Sequence, residues 1–344
     1  MRIPVSLLGI VLIGLAASSG FSQDLGKAKN AEEASAALEK MGAFVERGFL
    51  SNRVEYILFR ETRFAPNDLS GLKHFPGLKW IQFEKVALTG RDLRALAEVD
   101  SIKMIWFDTV PITDKDLSQL AGLKGLKELK FYHCGIQGRT LGKFENLESL
   151  DVVECPLDDA AMKQIGTLKK LDRLEVSKTK ITNRGIKAIE SLTDLTSLNL
   201  KHNNISDPAM KTIEGFTKLT LFYIGDTNVG DVGLQSVKGL KELDAISFDR
   251  TKITDKGLDA LAELPKLTAL YLDGNNITDE GLKTLCKIKS LDNLHLDDTR
   301  VTDAGLPAVV DLTNLTILTV QRTGVTAAGA NELFSKRMNI RITY

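Results

Sequence analysis

The chain has 344 residues, of which 43% are hydrophobic and 26% charged, an ordinary composition for a soluble globular protein. Lysine plus arginine and aspartate plus glutamate both number 45, and the signs are mixed along the chain. That balance leaves no basic stripe for nucleic acid or an anionic membrane, and three cysteines are too few for a fold built on disulfides.

Residues 1–22 read as a secretory signal. Arg2 supplies the positive start, residues 3–17 are the apolar stretch, and Ser18, Ser19, Gly20 and Ser22 are small enough for cleavage. The alternative is an uncleaved anchor, which reaches a bilayer span only if its Gly and Ser residues are counted. The product is expected to be exported (periplasmic, secreted or at the cell surface), with no membrane span after cleavage. Residues 23–53 are expected to form an N-terminal cap. Residues 31–41 are rich in helix formers, Ala34, Leu38 and Met41 share one stripe, Gly42 stops the helix, and residues 43–46 suit a strand.

From Val54 onward one unit recurs. Its best copy is LTALYLDGNNITDEGLKTLCKIKS, residues 267–290. Leu270 and Leu272 are spaced as on a strand with one face inward, and Leu282 and Leu285 as on one face of a short helix. Between them Thr278 supplies a hydroxyl cap and Asp279 a carboxylate near the positive helix end, while Gly281 leaves room for a close backbone approach. The first positions are Val54, Leu78, Ile102, Leu126, Leu147, Leu171, Leu195, Leu219, Leu243, Leu267, Leu291 and Leu315, 24 residues apart except for one step of 21. Residues 54–146 are irregular and 147–344 regular. In the short unit GIQGRTLGKFEN stands where a helix should start, so a tight loop is expected there. The final copy, RTGVTAAGA, has lost its Asp and Leu, and residues 340–342 suit one last strand. A single unit cannot cover its own apolar face, whereas stacked neighbours can.

This LxxLxL…(N/T/C)xxITDxGLxxL pattern resembles the leucine-rich repeat, in the short strand–helix form of the cysteine-containing and ribonuclease-inhibitor-like types. The resemblance covers residues 54–344. It implies an α/β fold: a right-handed solenoid of about 12 repeats plus the cap, with a parallel sheet on the concave side and helices on the convex side. The family's shared positions are structural, so the resemblance alone names no ligand.

Function is expected where side chains are free of the core, at strand positions 3, 5, 7 and 8 of each unit. The N-terminal columns place Tyr56, Trp80, Met104, Trp106 and Tyr132 there, with Leu58 and Gln82. Both tryptophans of the chain are in this group. Such an exposed aromatic cluster suits a protein or peptide partner, unless the cap folds over it as core. The C-terminal columns offer a strip of Tyr223, Ser247, Tyr271 and His295. They also offer three carboxylates, Asp249, Asp273 and Asp297, which need neutralising. Arg250, Arg300 and Arg322 are expected to do this; a bound Ca²⁺ is the sharper and weaker reading, and a basic patch on a partner is the third. No other metal and no cofactor is expected. Cys134 and Cys155 occupy the same position in consecutive repeats, about 5 Å apart in a parallel stack, either as two buried thiols or as a disulfide. His133 adjoins Cys134, but their side chains point to opposite sides, so nucleophilic catalysis is not expected. No phosphate loop, HExxH or CxxC occurs. The composition and columns favour a non-catalytic binding module for a protein or peptide. The alternative is a carbohydrate- or cell-wall-associated protein whose aromatics stack on sugar rings.

Overall fold

The computed structural model of the protein describes residues 25–65 and 68–344; the expected signal lies outside them. Fourteen strands form one sheet in sequence order. They are β1 (Phe44–Arg47), β2 (Val54–Arg60), β3 (Trp80–Glu84), β4 (Met104–Asp108), β5 (Glu128–Tyr132), β6 (Ser149–Val153), β7 (Arg173–Glu175), β8 (Ser197–Asn199), β9 (Leu221–Tyr223), β10 (Ala245–Ser247), β11 (Ala269–Tyr271), β12 (Asn293–His295), β13 (Ile317–Thr319) and β14 (Arg341–Thr343). β1 is antiparallel to β2, and from β2 to β14 neighbours run parallel. The repeat units supply β2 to β13, and the expected last strand is β14, one residue further on.

Ahead of the first repeat lie a helix and the strand β1. Helix α1 (Ala31–Lys40) starts at Asn30, whose side chain accepts the Glu33 N–H at 2.9 Å. It ends at Gly42, which adopts φ +70°, a conformation that costs glycine little. Ala34, Ala37 and Leu38 are buried against the first repeat. The convex side mixes short α-helices with 3-10 turns, and the short unit keeps only one such turn, Leu141–Lys143.

Two devices distinguish the halves. In the irregular part the strands are longer, and Phe59, Phe83, Phe107 and Phe131 stack through the core with centroids 5.4–5.6 Å apart. From β7 to β13 the strands are three residues long, and at β11 and β12 carboxylates take the backbone N–H that would extend the ladder. Asp273 accepts the Asp297 N–H at 2.8 Å, and Asp297 accepts that of Gln321 at 2.7 Å.

The TDxGL element is one inter-repeat device. The threonine caps its own helix, as Thr278 does for Glu280. The aspartate, rather than serving only its own helix end, reaches into the following repeat. Asp159, Asp231, Asp255, Asp279 and Asp303 accept the backbone N–H and hydroxyl of Thr182, Thr254, Thr278, Thr302 and Thr326. The atom that a side chain on the glycine would meet first is that carboxylate oxygen. A Cβ on Gly257 would stand 2.6 Å from Asp231 Oδ1, and one on Gly233 2.6 Å from Asp207 Oδ1. The last repeat has Ala327 where the five before it carry Asp207, Asp231, Asp255, Asp279 and Asp303.

Candidate binding face

The aromatic cluster is on the surface. Strand register puts Tyr56, Trp80 and Met104 side by side, and Leu58, Gln82 and Trp106 in the next row. Trp80 is 42% exposed, while Tyr56, Met104, Trp106 and Tyr132 are half-buried among one another. The cap does not close over them. β1 instead adds to the cluster, since Phe44 pairs with Leu58, meets the Tyr56 ring at 6.1 Å and is itself 38% exposed. The composition of residues 43–46 signalled a strand, but nothing in it gave the antiparallel register that brings Phe44 here. Trp106 leans on Tyr132 with centroids 5.4 Å apart, and its indole N–H has no protein partner. Tyr56 donates to Gln82 at 2.8 Å, and burial pushes its phenol up to about 12.

Tyr223, Tyr271 and His295 lie elsewhere. β9 is five strand spacings from β4, about 24 Å along the sheet, so the two groups are separate contact areas. Tyr271 and His295 stack with centroids 4.5 Å apart. Ser247, expected between them on the surface, is fully buried. Its short side chain is overtopped by Tyr223 and Tyr271, its neighbours in register.

The carboxylate row is neutralised differently from expectation. Arg250 and Arg322 turn to Asp226 and Asp298, at 2.6 and 2.5 Å. Asp249 is buried, takes the Ser247 hydroxyl at 2.7 Å and pairs with Lys201 at 3.0 Å. Lys201 comes from two strands away. It passes over Gly225, which has no side chain to block it, and lies 5.6 Å from the Tyr223 ring centroid. Asp273 and Asp297 accept backbone N–H groups, as above. Among the described residues no three His, Cys, Asp or Glu side chains converge as metal ligands would.

Position 8 belongs to the rim rather than the binding face. Its residues take φ near +50°, from Glu61 (51°) and Lys85 (51°) to Arg322 (55°). Their charges alternate and pair along the rim: Glu61 with Lys85 at 3.3 Å, Glu154 with Lys178 at 2.5 Å, Asp226 with Arg250 at 2.6 Å. His133 joins this rim between Asp108 and Glu154, each at 3.2 Å. Cys134 turns inward, its thiol directed at the Tyr132 carbonyl at 3.3 Å, and Cys155 repeats that contact with Val153 at 3.4 Å. Both thiols are free and buried, in the column where Asn203 and Asn275 donate to the corresponding carbonyls of Lys201 and Asp273.

The carboxylates give a signed pH dependence. The Arg250 guanidinium holds Asp226 below the usual carboxylate range, and Arg322 does so for Asp298. Their pairs stabilise above the unfolded value of about 3.9 and are lost as pH falls below it. Desolvation, followed by Asp249 and Asp297, raises Asp273. The folded chain then binds the extra proton, so stability falls as pH rises through the window above about 3.9. Thermal unfolding followed against pH should therefore rise modestly on mild acidification before collapsing. Asp273→Asn should flatten the mild-acid rise and leave the collapse in place.

The fold, its cap and the in-register strands set the comparison with known proteins. The family described as "Leucine-rich repeat region" matches residues 125–330, more than half of the chain. The chain belongs to the leucine-rich repeat family. Among solved structures, this leucine-rich repeat protein is similar to an internalin of Listeria monocytogenes. That pair has TM-score 0.65 and 22% identity over 84% of this chain and 86% of the other. A leucine-rich repeat protein of Leptospira interrogans gives TM-score 0.61 and 15% identity, over 82% and 75% of the two chains. A second Listeria internalin gives 0.50 and 26%, over 61% and 84%. At these identities the likeness concerns the fold. No curated protein matches in sequence. Leucine-rich repeats in general act as protein-interaction scaffolds, which is the functional class the fold carries. No helix of the described residues is long and apolar enough to cross a membrane.

Proposed function

We propose that this leucine-rich repeat protein is an exported, non-catalytic binding module that holds a protein or peptide partner on its concave face. Trp80 and Trp106 are the anchors, and Tyr56, Met104 and Tyr132 form the surround. Tyr223, Tyr271 and His295 make a second, more polar contact further along. The observation that carries this reading is the exposure of Trp80 beside Met104 and Trp106 on a face that no other described residues cover. Large aromatics at the centre of a contact commonly dominate its energy. The charge rim pairs internally, so it directs no polyanion to the surface.

The experiment is capture from native periplasm or culture supernatant with the intact protein and with Trp80→Ala/Trp106→Ala. A defined partner should bind the first and not the second, with melting temperature little changed. Capture by both would remove the anchors from the interface. Retention on a polysaccharide column, competed by free sugar and lost in the double variant, would instead establish the glycan reading. N-terminal sequencing of the protein from the medium or periplasm tests export; a chain still beginning at Met1 in the cytoplasm would refute it.

A further inference from the structure

We propose that the concave face from β9 to β13 takes a basic segment of the partner, seating an arginine over Asp273 and Asp297 beside the stacked rings of Tyr271 and His295. The inference rests on the concave face being the binding face, and adds the chemistry that its second contact selects. Charges that balance over the whole chain do not balance here. Position 7 of consecutive coils carries Asp249, Asp273 and Asp297. Lys201 answers Asp249 at 3.0 Å, while Arg250 and Arg322 are taken up by Asp226 and Asp298 on the rim. Asp273 and Asp297 are left with no ion pair among the described residues. Asp244, exposed just before β10, adds a further acid near Tyr223. The fold does not neutralise the row internally. Burial first, then the charges of Asp249 and Asp297, push Asp273 up. Asp249 is 7% exposed, and its Oδ1 is buried without a hydrogen-bond partner. A buried oxygen in that condition is costly, and a cation laid over the row offsets part of that cost.

The spare oxygens fit a guanidinium better than a metal ion. Asp273 and Asp297 each spend Oδ1 on the backbone N–H of the next coil, at 2.8 and 2.7 Å. One oxygen apiece remains, on strands about 4.8 Å apart. Calcium needs a shell of converging oxygens, and no three acids among the described residues begin one. A guanidinium reaches two acceptors with separate N–H groups and lays its plane on an aromatic ring. Such a ring surface is present, since Tyr271 and His295 stack at 4.5 Å in the adjoining row. The floor beside it is low. Ala245 and Ala269 pair in register, and Ser247 is sunk between tyrosines, so an extended chain can lie close. The same acids repel a phosphate or any other polyanion.

Calorimetry with hexa-arginine at low salt should show a single saturable site that weakens as salt rises. Hexacitrulline, similar in shape but uncharged, should not bind. Asp273→Asn/Asp297→Asn keeps an oxygen for each backbone N–H, and should weaken hexa-arginine binding about tenfold or more with unchanged circular dichroism. Asp259→Asn/Glu280→Gln removes the same charge from the exposed convex side and should leave binding unaltered. Equal loss in both variants, binding of hexacitrulline, or no binding of hexa-arginine would overturn the proposal. So would saturable Ca²⁺ binding that the concave variant loses, which would return the row to a metal. Partner capture is read separately. A partner held through Trp80 and Trp106 with no hexa-arginine binding sinks this inference alone. Hexa-arginine bound with no partner captured counts against the wider reading instead.

Discussion

Phe107→Ala should lower the stability of the N-terminal half by about 3–5 kcal/mol, the range for emptying a large aromatic from a packed core. The ring is fully buried, between Phe83 at 5.6 Å and Phe131 at 5.4 Å, so no surface group can swing in to fill the space. Because each coil touches mainly its neighbours, the loss should be local. Urea unfolding should show an early transition, and hydrogen exchange should place it in β3, β4 and β5. Phe107→Leu, which restores most of the volume, should cost far less. An alanine variant with a single unshifted transition would mean that the aromatic column carries little of the stability.

Gly257→Val should be nearly as damaging, by a different route. Its Cβ would fall 2.6 Å from Asp231 Oδ1 and 3.1 Å from both Asp231 Cα and Leu234 Cδ2. Overpacking of this kind costs about 1–3 kcal/mol. The displaced carboxylate would also lose Thr254, whose N–H and hydroxyl it now holds at 2.8 and 2.7 Å. The partner variant Asp231→Ala separates the two effects. If the glycine is there for the carboxylate, Gly257→Val should cost markedly less in the Asp231→Ala background, giving a coupling energy between the sites. Equal costs in both backgrounds would assign the glycine to backbone packing instead.

The contrast between these two sites shows what the sequence made legible. Leucine spacing located each strand from β2 to β13, since period-two burial is a local property. The glycine of TDxGL was equally visible as a pattern, but its reason was not. The group that excludes a side chain belongs to the previous repeat, 26 residues earlier for Gly257 and Asp231. The same holds on the concave face. Columns of like residues put Trp80, Trp106 and Tyr271 outside the core, where Trp80 is exposed and the other two half-buried. They could not show that Ser247 lies beneath its taller neighbours, or that Lys201 crosses Gly225 to reach Asp249. Side-chain heights and reach across two strands are settled only by packing. Arg250 and Arg322 were mispaired for a related reason. The left-handed backbone at position 8 turns them along the rim, toward Asp226 and Asp298, and away from the row of position 7.

The carboxylate-to-threonine links run one way along the chain, each acid serving its successor. Parting two coils at such a link exposes an acid on one side and threonine donors on the other, both of which water then solvates, so the device ties each coil to its neighbour without favouring either end.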